Sequence, residues 1–147
     1  MSKPESTFIA SVHRKITGPR PWIEKNHNAY RGGTPDVFYS GDEGCMWVEY
    51  KWLDKIPLKA LILPALSPLQ RDWLAGRKRE GRFVAVVVGC PEGGVIYITP
   101  KTWNAPLTPA QFRKRLLHRT QIAIWISLEV GARCDISSRP FKAQRSP

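Results

Sequence analysis

The chain predicts an α/β fold, a small mixed β-sheet flanked by helices, on three observations. Its 147 residues suit one domain at the usual ~100–200 residues per domain. Segments of helical and of strand period alternate in the order α-β-β-β-α-β-β-α, the order of a layered α/β domain. The run Phe83-Val84-Ala85-Val86-Val87-Val88 is apolar throughout and of strand length, the pattern of a strand covered on both faces.

The elements follow from local pattern. Over residues 5–16, Phe8, Ile9, Val12 and Ile16 fall at helical spacing and Gly18-Pro19 ends the segment. Ser2 and Glu5 fit a capping box at its start. Residues 21–25 read as a short strand, and residues 26–34 as a polar loop. Asp36-Val37-Phe38-Tyr39 and the run from Cys45 to Trp52 are rich in β-formers and flank the turn-dense residues 40–44, which together predict a hairpin. Ser67-Pro68-Leu69-Gln70 resembles a cap with proline in the first turn, leading a helix to about Arg79 that Gly81 stops. After the apolar strand, Gly93-Gly94 is a turn and residues 95–98 are a further strand. Thr108-Pro109 opens a helical region that passes from the basic Arg113-Lys114-Arg115 into the apolar residues 122–130. The domain is therefore drawn over residues 1–131, with 132–147 a basic polar tail expected to be flexible.

Charge narrows the partners. Lys and Arg number 23 against 12 Asp and Glu, a formal net charge of +11, on a chain with 42% hydrophobic residues. That is enough apolar material for a core, so this is not a disordered basic arm. Self-repulsion on this scale points to a polyanionic partner. No stretch approaches the ~20 apolar residues of a membrane-spanning helix, and the first residues lack a secretory apolar run, so nucleic acid is preferred over membrane. Cys45, Cys90 and Cys134 are odd in number and have no C-x-x-C spacing, which argues against a disulfide framework and a zinc ribbon. His13, His27 and His118 have no partner at metal-ligand spacing, and His13 is expected at the surface. Cys45 is expected to pack as a small apolar group. The chain reads as a reduced, cytoplasmic protein.

The chemistry centres on Asp36 and on Glu49-Tyr50-Lys51, thirteen to fifteen residues later. Side chains alternate along a strand, so Glu49 and Lys51 share a face and Tyr50 points the other way. The hairpin brings Asp36 towards that face, and two carboxylates and a lysine then converge. Metal-assisted phosphodiester hydrolysis uses this set. Mg²⁺ takes oxygen ligands and needs only one or two carboxylates, because it keeps several waters. It polarises the phosphoryl oxygen and acidifies a bound water. A neighbouring lysine orients that water and offsets negative charge developing on the phosphate.

The pattern Pro35-Asp36 … Glu49-x-Lys51, on a hairpin between two helices, resembles the PD-(D/E)xK nuclease superfamily over roughly residues 5–100. Within it the chain is similar to the phage junction-resolving endonuclease I and to VRR-NUC domain nucleases. The resemblance implies a restriction-endonuclease-like core and a Mg²⁺-dependent deoxyribonuclease in which Mn²⁺ substitutes for Mg²⁺. It makes Asp36 and Glu49 metal ligands, Tyr50 a donor through its backbone carbonyl, and Lys51 the catalytic lysine. Glu5 matches the acidic residue that many members place on the first helix, although its capping role alone also explains it. Gln70 matches a glutamine that begins the following helix in VRR-NUC-like members. The Asp36–Glu49 spacing is longer than in some relatives, which leaves the hairpin register open.

Around this centre, Lys25 and Arg31 before the hairpin, and Gln70, Arg77, Lys78 and Arg82 after it, are expected to contact nucleic acid, in a groove that tracks phosphates. Residues 101–147 hold nine Lys and Arg against two acidic residues and receive no role. The tryptophans read as core or interface anchors, with Trp52 the one nearest the motif. The expected partners are DNA, branched or structured, and a second copy of the chain paired through residues 122–130. No membrane and no small-molecule cofactor is expected. The rival reading is a non-catalytic nucleic-acid-binding protein that uses its basic C-terminal helices, with Glu49 and Lys51 an ordinary ion pair on a strand edge.

Overall fold

The computed structural model describes residues 2–26 and 32–131. The elements are α1 (Lys3–Arg14), β1 (Trp22–Lys25), β2 (Val37–Ser40), β3 (Cys45–Trp52), α2 (Pro68–Arg79), β4 (Val84–Cys90), β5 (Gly93–Tyr97), α3 (Pro100–Trp103), α4 (Pro109–Arg115) and α5 (Arg119–Val130). The strands make one sheet in the order β1-β2-β3-β4-β5. Every neighbouring pair is antiparallel except β3 and β4. A parallel pair cannot be closed by a tight turn, and here the crossover runs through α2. The predicted mixed sheet and its flanking helices are therefore what the chain forms.

Each face of the sheet is covered. On one, Val37, Tyr39, Val48, Tyr50, Ala85 and Val87 pack against Phe8, Ile9 and Val12 of α1 and Ile122, Ala123 and Ile126 of α5. On the other, Val84, Val86 and Val88 meet Leu74 of α2, Trp103 of α3, Phe112 of α4 and the loop residues Ile56, Ile62 and Leu66. All seven residues of β4 are buried, as its unbroken apolar pattern predicts. Gly89 has a specific reason to be glycine, because a Cβ there would lie 2.7 Å from the Phe8 ring.

Several local expectations are corrected. Helix α1 ends at Arg14, two residues short of Ile16, which stays buried in the following loop. His13 is not a surface residue: it is 7% exposed, and its Nε2 lies 2.8 Å from the Tyr39 hydroxyl. The C-terminal helical region is two helices, because Leu116 is extended and Leu117 exchanges both backbone hydrogen bonds with Gly94 at the sheet margin. A tertiary bridge there outcompetes one turn of helix. The short α3, capped by Thr99, was not anticipated. Cys45 is exposed. Of the apolar residues assigned to a dimer face, Ile122, Ala123, Ile126 and Val130 are spent on the chain's own core, leaving Ile124 and Leu128 outside. Among the described residues no helix is long and apolar enough to cross a membrane. The proposed tail 132–147, with Cys134, lies outside the described residues, as do His27 and Arg31.

Candidate active site

The site is created where β2 stops. Its last pair with β3 is Val37↔Val48, so among the described residues Glu49 to Trp52 have a strand partner on the β4 side only. The Trp47 and Leu53 N–H groups point to the β4 side, where they meet the carbonyls of Phe83 and Gly89. With the alternation of a strand, Val48, Tyr50 and Trp52 turn their backbone groups to the opposite, open edge. Two carboxylates fill it. The Tyr50 N–H donates to Asp36 Oδ2 at 2.9 Å, and Glu5 lies near the Trp52 backbone, which favours its charged form. The Tyr50 carbonyl points to the same edge, because a residue in such a ladder turns its N–H and C=O the same way.

The side chains of β3 supply the rest. Glu49 lies on the α2 face, 2% exposed. Its Oε1 accepts from Lys51 Nζ at 3.0 Å and from Gln70 Nε2 at 2.6 Å. Gln70 is itself locked: its Oε1 accepts from the Ser67 N–H and its own N–H donates to Ser67 Oγ, closing the capping box of α2. The start of α2 and the loop before Asp36 are in turn fitted together at Gly33, which has φ +89 and whose Cβ, if present, would lie 2.6 Å from the Leu69 carbonyl oxygen. Glu49 Oε2 is buried and has no hydrogen-bond partner among the described residues.

The electrostatics agree with a crowded acidic cluster. Burial and the nearby Asp36 carboxylate push Glu49 up to about 7, against the pull of Lys51. Burial and Asp36 also raise Glu5, with Lys51 and the Trp52 backbone opposing. Shifts of this kind from desolvation and like charge gather at functional sites. A carboxylate buried with one oxygen unpartnered among the described residues costs stability.

Asp36, Glu49, Lys51, Glu5 and Gln70 are thus brought together, and Glu5 faces the sheet while only half of its predicted capping box forms, the Glu5 N–H donating to Ser2 Oγ. Gln70 meets Glu49 directly. Lys25 lies elsewhere, on the edge strand β1 and close enough to His13 to influence its charge. Arg77, Lys78 and Arg82 group at the far end of α2, with Arg77 over the Trp73 ring and Lys78 over Phe83. Motif reading missed the hydroxyl chain behind the site. Tyr39 and Tyr50 are 2.5 Å apart through their hydroxyls, and His13 completes the series. Its only sequence trace was the i, i+4 placement of His13 beside Ile9 on the buried stripe of α1.

The donor set has a definite character. Among the described residues no three His, Cys, Asp or Glu side chains form a ready-made metal site. The oxygens that suit a hard cation are the unpartnered Glu49 Oε2, the Asp36 carboxylate and the Tyr50 carbonyl, with Glu5 at the same edge. One or two carboxylates suffice for Mg²⁺, which retains waters, so the residues fit.

No protein-family model matches the chain, and no curated protein matches it in sequence. Among solved structures it is similar to Hjc of Archaeoglobus fulgidus, a Holliday junction resolvase from an archaeal hyperthermophile. The TM-score is 0.52 with 11% identity, over 81% of this chain and 99% of that one. At that identity the likeness is one of fold, and the five-stranded sheet with its flanking helices is the fold of a junction resolvase.

Proposed function

We propose that the protein is a divalent-metal-dependent endonuclease of the PD-(D/E)xK superfamily that cuts DNA, with branched or structured DNA as its substrate. The observation that carries the reading is the buried Glu49, tied to Lys51 and Gln70, beside an open strand edge occupied by Asp36 and Glu5. The resolvase-like fold supports the superfamily and the class of substrate. The nearer likeness to phage enzymes and VRR-NUC domains rests on the motif alone.

Asp36, Glu49 and the Tyr50 carbonyl would hold Mg²⁺ or Mn²⁺, with Glu5 adjoining. When bound, such an ion polarises the phosphoryl oxygen and acidifies a water. The chain's own residues do the rest. The Tyr50 N–H holds Asp36 in place at the edge of β3, and Gln70 holds Glu49 with one oxygen left over. Lys51, about one-fifth exposed, can leave Glu49 to meet an incoming phosphate or orient the attacking water. The Tyr39–Tyr50 pair and the Phe8 ring pack against β3 on the face opposite Glu49.

The test is cleavage of four-way junction, duplex and single-stranded DNA by the purified protein with Mg²⁺ or Mn²⁺. Junction cleavage is expected, abolished by chelator. Asp36→Ala and Lys51→Ala should each lower the rate by at least a hundredfold while junction affinity changes little. If the wild-type protein cuts none of the substrates, the enzyme reading fails and the DNA-binding alternative takes its place. A second copy of the chain is also proposed, as cutting two strands of a junction calls for two sites. Light scattering should then give about twice the 16.7 kDa chain mass.

A further inference from the structure

The seam between β3 and α2 does not end at Glu49. Along β3, Trp47 lies two residues before Glu49 on the same face, and along α2, Trp73 and Arg77 follow Gln70 at helical spacing. The two elements are in register: Gln70 bonds Glu49, Trp73 packs edge-on against Trp47 with centroids 5.4 Å apart, and Arg77 stands over Trp73 at 5.4 Å. Beyond them the seam widens into a groove of about 580 Å³ lined by Phe38, Trp47, Trp73, Phe83, Arg77 and Arg82. All four aromatic rings are partly exposed.

This groove has the makings of a stacking track. Its walls are partly exposed aromatic rings, with Phe38 4.6 Å from Trp47 between centroids and Arg77 over Trp73, and its rim is cationic, with Arg77, Lys78 and Arg82 beside Glu80, which pairs with Arg77 at 2.8 Å. Arg82 is 64% exposed, and Arg77 Nε is a buried donor with no hydrogen-bond partner among the described residues. Two strand residues span about 7 Å, on the order of one step of an extended nucleotide strand, so successive nucleotides can be passed along Trp47 to Glu49. Non-specific single-strand sites combine a positive groove with aromatic platforms in this way. The chain's own residues 132–147 are a poor occupant, since they hold four Lys and Arg against one acidic residue and would meet like charge.

We infer that the β3–α2 groove binds unpaired nucleotides by base stacking on Trp73, Trp47 and Phe38, with Arg77 and Arg82 on the phosphates, and leads one strand to Glu49 and Lys51. The inference rests on the nuclease reading for its purpose but not for its test. The full-length protein, in chelator so that nothing is cut, is titrated by fluorescence anisotropy with labelled oligo-dT and with an abasic phosphodiester oligomer of the same length. Wild type should bind oligo-dT about tenfold more tightly than the abasic strand. Trp73→Leu should erase that preference, and Arg82→Glu should weaken both ligands alike. Phe38→Leu, on the neighbouring strand β2, gives the same reading if Trp73→Leu lowers the melting temperature. Equal affinity of wild type for the two strands overturns the inference. So does a Trp73→Leu or Phe38→Leu protein, folded by thermal melt, that keeps the full preference. A base preference without any cleavage under Mg²⁺ would leave the groove standing and remove the enzyme; cleavage without it would do the reverse.

Discussion

Glu49 shows how a single carboxylate can be held ready at a cost. Its Oε1 is satisfied twice, while Oε2 is buried without a partner among the described residues and Asp36 raises the cost of its charge. Glu49→Gln keeps an acceptor for Gln70 and Lys51 and removes the charge that Asp36 opposes. It should therefore stabilise the metal-free protein, by about 1 kcal/mol, while eliminating cleavage. Chemical denaturation in chelator checks this, and a destabilised Glu49→Gln protein would show that the carboxylate is a structural ion-pair member instead. The E-x-K spacing made Glu49 and Lys51 legible, because alternation along a strand is local. The burial of Glu49 was not, since it depends on α2 closing over β3 from a segment about twenty residues away.

At the scale of elements, α1 is pinned to the sheet by an apolar stripe and by His13, whose Nε2 meets Tyr39. Burial, with Lys25 and Arg20 nearby, lowers His13 to about 4 from an ordinary 6.5, so it is neutral in the folded protein. Between those values the unfolded chain takes up a proton that the folded one refuses, and stability falls as pH is lowered from about 6.5 to 4. The loss approaches about 3 kcal/mol when complete. Glu49 acts in the opposite sense, because its raised value favours proton uptake by the folded state below about 7. The measurement is therefore a difference: His13→Gln should flatten the fall of unfolding free energy between pH 6.5 and 4 relative to wild type. Parallel curves for the two proteins would mean that His13 is not held neutral. Capping signals located α2 well, since Ser67-Pro68-Leu69-Gln70 is a local hydrogen-bond pattern. They could not divide α4 from α5, where an exchange of hydrogen bonds between Leu117 and Gly94 decides the break.

For the molecule as a whole, the +11 charge falls along the chain in residues 3–31, at the end of α2, in the α4 segment and in residues 132–147. Binding to DNA should be strongly salt-dependent. With about six phosphate contacts, affinity falls on the order of a thousandfold between about 50 and 200 mM salt. Titrations of a junction at several salt concentrations would show it, and a flat response would mean that the basic surface is not the DNA-binding one.

The hydrophobic periods, the caps and the placement of Asp36, Glu49 and Lys51 on a hairpin were all present in the chain before it folded, because each is set by residues within a few positions of one another. The sheet order, the early end of β2 and the reach of Glu5 and Gln70 into the site were not. They arise from packing between segments distant in sequence, where burial and unpaired backbone groups select one arrangement among many. Short-range pattern thus picked out the residues, and long-range contact brought them together beside the open edge of β3.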